Sequence, residues 1–69
     1  MKGLKRIRLA AGLTQAALAK ALGVTQSNVS MWETGQAWPE GAMIEALADC
    51  LGCSIDDLFG RETPERTSA

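Results

Sequence analysis

Histidine and tyrosine are absent from this sequence, and cysteine and proline occur twice each. Without histidine the chain lacks the usual general base near neutral pH and the commonest metal ligand. Cys50 and Cys53 stand in a CxxC spacing, but no second cysteine pair and no alternation of strands with helices accompanies them. A zinc site and a redox pair are therefore both set aside, and the two thiols are expected to be small apolar core residues. No metal and no cofactor is expected. An enzyme is the weakest class, because the carboxylates cluster at solvated helix starts with no nucleophile or metal set beside them.

Long apolar runs are missing too. Lys2, Lys5, Arg6 and Arg8 precede Leu9 to Leu13 in the manner of a signal peptide. That run stops at Thr14 and Gln15, short of the roughly 7 residues a signal core needs, and helical periodicity continues past it. Nothing approaches the ~20 residues of a membrane span. A cytoplasmic, nucleoid-associated protein is the expectation. Internal repeats are absent as well, and Trp32, Trp38 and Phe59 are the only aromatic residues.

What is present is a short chain, rich in alanine and leucine, that forms one domain. Of its 69 residues, 1–60 are expected to form that domain and 61–69, which lack periodicity, a flexible C-terminal tail. A domain this small buries only about 60% of its unfolded surface, so its core is marginal and a partner subunit would help. The net charge of −1 conceals an asymmetry: residues 1–35 carry five basic side chains against one acidic, and residues 36–69 two against seven. Positive potential confined to one half is compatible with nucleic-acid binding, and equally with solvated helix faces.

The periodicity predicts five helices and an all-α fold. Leu4, Ile7 and Ala11 mark a first helix from about Lys2 to Ala11, stopped by Gly12. Thr14 caps a second, Gln15 to Leu22, closed by Gly23, and Thr25 caps a third, Gln26 to Thr34, ended by Gly35. Gln36 to Glu40 is a loop containing Pro39. Met43, Ile44, Leu47, Ala48 and Leu51 give the fourth helix, Gly41 to Leu51, an apolar face. Ser54 caps a short fifth helix whose first turn holds Asp56 and Asp57 and whose apolar side is Ile55, Leu58 and Phe59.

Gln15 to Thr34 has the spacing of a helix-turn-helix: Ala19 is small at the helix crossing, Gly23 makes the turn, and Leu18, Leu22, Val24, Val29 and Trp32 point inward. At about 100° per residue, this turns Ser27, Ser30, Met31 and Thr34 outward and leaves Gln26 at the exposed start of the third helix. Glutamine suits the paired N6 and N7 positions of adenine, serine serves several bases, and methionine meets a thymine methyl. Gln26, Ser27, Ser30 and Met31 are therefore the candidate base-reading residues. The alternatives are that Gln26 and Ser27 decorate a solvated helix start and that Met31 packs on a neighbour.

Over about Leu4 to Phe59, densest in GLTQAALAKALGVTQSNVSMWETGQAWP and resuming in ALADCLGCSIDDLF, the chain resembles the phage repressor and Cro family, also called the xenobiotic-response-element family. The resemblance implies a five-helix, lambda-repressor-like domain. Its third helix would enter the major groove, and the protein would bind a palindromic operator in double-stranded DNA as a homodimer. Gln15 is implied to bind a phosphate while bracing Gln26, and Asn28, Thr34 and Gln36 to meet the DNA backbone. Lys5, Arg6 and Lys20 would add salt-sensitive attraction. Gln36-Ala37-Trp38 stands where relatives are often basic, so modest affinity and a shallow salt slope are expected. Arg8 and Glu33 match a buried structural ion pair of some members.

Ile55, Leu58 and Phe59 are candidate dimer residues, because so short a helix cannot bury all its sides; the alternative is that they cap the core. The leading reading is a Cro-like transcriptional repressor without a sensor domain of its own. The competing reading is a protein-interaction module, such as an antitoxin or coactivator-like domain, whose acidic half offers a surface to a basic partner.

Overall fold

The computed structural model describes residues 1–60; the expected flexible tail, 61–69, lies outside the described residues. Five helices follow one another: α1 (Leu4–Ala10), α2 (Gln15–Leu22), α3 (Gln26–Thr34), α4 (Gly41–Leu51) and α5 (Ile55–Leu58). No strand occurs among the described residues, so the all-α expectation holds, and α2 to α4 have the bounds the sequence suggests.

The helix starts are capped as the side chains allow. Thr14 accepts from the Ala17 backbone N–H at 3.0 Å and Thr25 from that of Asn28 at 3.2 Å, side-chain caps on the first turns of α2 and α3; the Asn28 N–H also donates to the Thr25 carbonyl at 3.1 Å. Ser54 and Asp57 cap α5 reciprocally, side chain to backbone in both directions, a capping box with aspartate at its third position.

The first helix begins at Leu4, later than Lys2. Gly3 has no side chain to cap it, and its backbone N–H donates to the Leu58 carbonyl at 3.0 Å. Residues before Leu4 thus serve a contact with α5 in place of an earlier helical turn. The Met1 amino group also leaves the helix direction, donating to the Trp32 carbonyl at 2.9 Å.

Each helix contributes one aliphatic side chain with no exposed surface: Leu4, Leu18, Val29, Leu47 and Leu58. Met1, Ala19, Trp32 and Ala48 complete the buried core. Two expectations need correcting here. Leu58 is wholly buried, so in this domain it belongs to the core and offers no dimer surface, while Ile55 is 41% exposed. Cys50 is exposed and only Cys53 packs against the core. Leu47, Ala48 and Leu51 set the inward direction of α4, and Cys50 falls about 100° away from it.

Candidate nucleic-acid interface

The turn between α2 and α3 depends on one backbone conformation. Gly23 adopts φ 74° and ψ 27°, the left-handed region open to glycine at little cost. Val24 N–H then returns to the Ala19 carbonyl at 2.9 Å, and Ala19, 3% exposed, has no bulk to hold the helices apart. Val29 and Trp32 bury the inner side of α3.

With that side anchored, the opposite ridge faces outward. Gln26, Ser27 and Thr34 are exposed, whereas Ser30 and Met31 are half-buried. Asn28 is half-buried too: its side-chain oxygen accepts from the Thr25 hydroxyl at 2.7 Å. It lines an open cavity of about 280 Å³ with Val24, Trp32, Trp38, Pro39, Glu40 and Met43. The Thr34 hydroxyl donates to the Met31 carbonyl at 3.2 Å. Lys5, Arg6, Lys20 and Gln36 are exposed and Gln15 is half-buried.

Four of the candidate residues meet. Arg8 Nε donates to Glu33 Oε2 at 2.6 Å, and Arg8 Nη1 to the Leu13 carbonyl at 2.8 Å. Gln15 Nε2 donates to Glu33 Oε1 at 2.9 Å. Gln26 Nε2 reaches Gln15 Oε1 at 3.4 Å, so the glutamines that open α2 and α3 touch. The Leu13 carbonyl had no sequence signal, because backbone groups look alike at every position.

Trp38 is the residue that periodicity passed over. It lies in the loop before α4, is 59% exposed, and stacks on Phe59 with ring centroids 5.6 Å apart. Ile55, 41% exposed, stands four residues before Phe59, a spacing that puts the two on one side of a helix. The available signal was a tryptophan outside any helix, beside a proline.

The described residues hold no group of three or more His, Cys, Asp or Glu side chains arranged to bind a metal. No helix among them is long and apolar enough to cross a membrane.

The helix-turn-helix family model matches residues 4–58. The HTH-type transcriptional regulator DicA of Escherichia coli is 44% identical over 55 residues, 78% of this chain and 41% of that protein. The HTH-type transcriptional activator BcrR of Enterococcus faecalis is 30% identical over 59 residues, 86% of this chain and 29% of its own. Repressor protein C2 of Salmonella phage P22 is 40% identical over 47 residues, 68% of this chain and 22% of its own. This chain spans at most 41% of the length of these three relatives. By the family match across its helices and by these relatives, the chain belongs to the helix-turn-helix family of phage-repressor and Cro type.

Proposed function

We propose that this domain is a sequence-specific, DNA-binding transcriptional regulator acting in the cytoplasm as a Cro-like repressor, with α3 laid in the major groove. One observation carries the reading: Gln26 and Ser27 are exposed at the start of a helix whose opposite side is held by buried Val29 and Trp32. A rigid helix with exposed polar groups at its N-terminal end is what base-edge readout requires. Ser30 and Met31, being half-buried, meet base edges at the margin of the contact. Gln15, Asn28, Thr34 and Gln36 bind the phosphate backbone, and Lys5, Arg6 and Lys20 add counterion-dependent attraction.

A second copy is the proposed partner on DNA. Two-fold symmetry matches a palindromic operator whose half-sites lie about 34 to 36 Å apart. The apolar surface of Trp38, Phe59 and Ile55 suits a self-complementary contact. The repressor sign rests on relatives named as repressors, P22 C2 among them.

Selection from random duplexes at two salt concentrations tests the reading. A palindromic sequence is expected to be enriched, and the double variant Gln26→Ala, Ser27→Ala to lose the enrichment while keeping the wild-type melting temperature. Equal, weak retention of every duplex by the wild type would overturn it and favour the protein-interaction reading.

A further inference from the structure

The contacts among Glu33, Gln15 and Gln26 have a direction. A carboxylate paired with a guanidinium only accepts hydrogen bonds, so the Gln15 side chain must turn its NH2 group toward Glu33. That contact is 2.9 Å long and lies against an ion pair with 7% and 5% of its side-chain surfaces exposed. The Gln15 carbonyl oxygen is thereby left facing Gln26, and an oxygen selects the NH2 end of the Gln26 amide, which approaches to 3.4 Å. A buried negative charge on α3 thus sets which way two successive amides point, the second of them exposed.

The consequence lies on the free edge of Gln26. One of its two N–H groups is committed to Gln15, leaving a single N–H donor beside the Oε1 acceptor. Adenine presents a matching acceptor and donor, N7 and N6, in the major groove, whereas guanine presents two acceptors, N7 and O6. An unrestrained glutamine satisfies guanine by giving both N–H groups; a restrained one leaves its oxygen against a second oxygen. The geometry points to Glu33 as a positioning residue that, acting through Gln15, makes Gln26 discriminate adenine from guanine. This inference rests on the major-groove reading above.

The test measures the affinity ratio between the selected operator and the same duplex with one A·T pair changed to G·C. The position is the one at which Gln26→Ala loses its base preference. For wild type the ratio is expected to be about fivefold or more in favour of adenine, the low end for a bidentate contact. In Arg8→Met, Glu33→Leu, which replaces the pair by apolar side chains of similar length, it is expected to fall to about twofold or less. Gln15→Met cuts the same relay outside the ion pair and keeps the test open if the double variant does not fold. A merely structural role lowers affinity for both duplexes alike and leaves the ratio untouched. A wild-type ratio retained by either folded variant overturns the inference alone; absence of any enriched sequence for wild type overturns the DNA reading and this inference with it.

Discussion

Arg8 on α1 and Glu33 on α3 form an ion pair with Nε to Oε2 at 2.6 Å, a second approach from Nη2 to Oε1 at 3.4 Å, and Arg8 Nη1 on the Leu13 carbonyl. Gln15 supplies another donor to the carboxylate. Burying two charges costs several kcal/mol of hydration, which mutual attraction offsets only when the remaining donors and acceptors are also used. Here each of the three guanidinium nitrogens has a partner, and no buried side-chain nitrogen or oxygen among the described residues is left without one.

Breaking one half of this pair is therefore expected to be severe. Glu33→Ala leaves the Arg8 guanidinium buried without its anion, at a cost of about 3 to 5 kcal/mol. For a domain this small that lowers the melting temperature by about 12 °C or more. A thermal melt by circular dichroism reads it, and a shift near zero contradicts the pairing.

Gly3 carries a constraint of a different kind. A methyl group there would lie 1.9 Å from the Asp57 carbonyl oxygen, and that neighbour is backbone, which cannot rotate aside. Gly3→Ala is expected to push α1 from α5 and destabilise the domain by about 1 to 3 kcal/mol, the range of an overpacked core. The urea midpoint should fall with an unchanged slope; an unchanged midpoint would show that α1 and α5 yield freely.

The apolar surface around Phe59 predicts how association responds to charge. Ile55→Lys places an ammonium on a residue already 41% exposed, so monomer stability should change by no more than about 0.5 kcal/mol. Self-association on operator DNA, followed by sedimentation, should weaken about tenfold or more if this is the dimer contact. Unaltered association would move the dimer surface elsewhere.

The two thiols differ in reactivity. Burial, and then the Asp57 carboxylate, push the Cys53 thiol above its ordinary value, while Cys50 lies exposed. Thiolate is the attacking form, so alkylation near neutral pH should modify Cys50 first, with Cys53 following only at higher pH. The folded state favours neutral Cys53, so its contribution to stability is present at lower pH and declines as pH rises past the ordinary thiol range. Mass spectrometry of partly alkylated protein gives the order; Cys53 ahead of Cys50 would refute it.

Most of the helical frame was legible in the chain because its signals are local. Thr14, Thr25 and Ser54 announce helix starts by offering an oxygen to the next turn, and Gly23 marks a stop that few other residues tolerate. Leu18, Val29 and Leu47 are buried in the structure on the faces their spacing assigns them. The errors fell where a side chain sits near the edge of its helix's buried arc or in a short terminal helix. Spacing alone does not separate core from solvent for Cys50, which was expected in the core, or core from a partner subunit for Leu58.

The residue order alone was enough for the succession of helices, the caps of α2, α3 and α5 and the buried sides of α2 and α3, since 3.6-residue periodicity and capping act within a few residues. Packing of the helices was needed to show that Gly3 lies against Asp57, that Trp38 stacks on Phe59, and that the Gln15 amide, besides touching Gln26, donates to Glu33. Each of these joins residues far apart along the chain or on separate helices. Their distances follow from how the helices pack around the shared core, and local spacing carries no record of that packing.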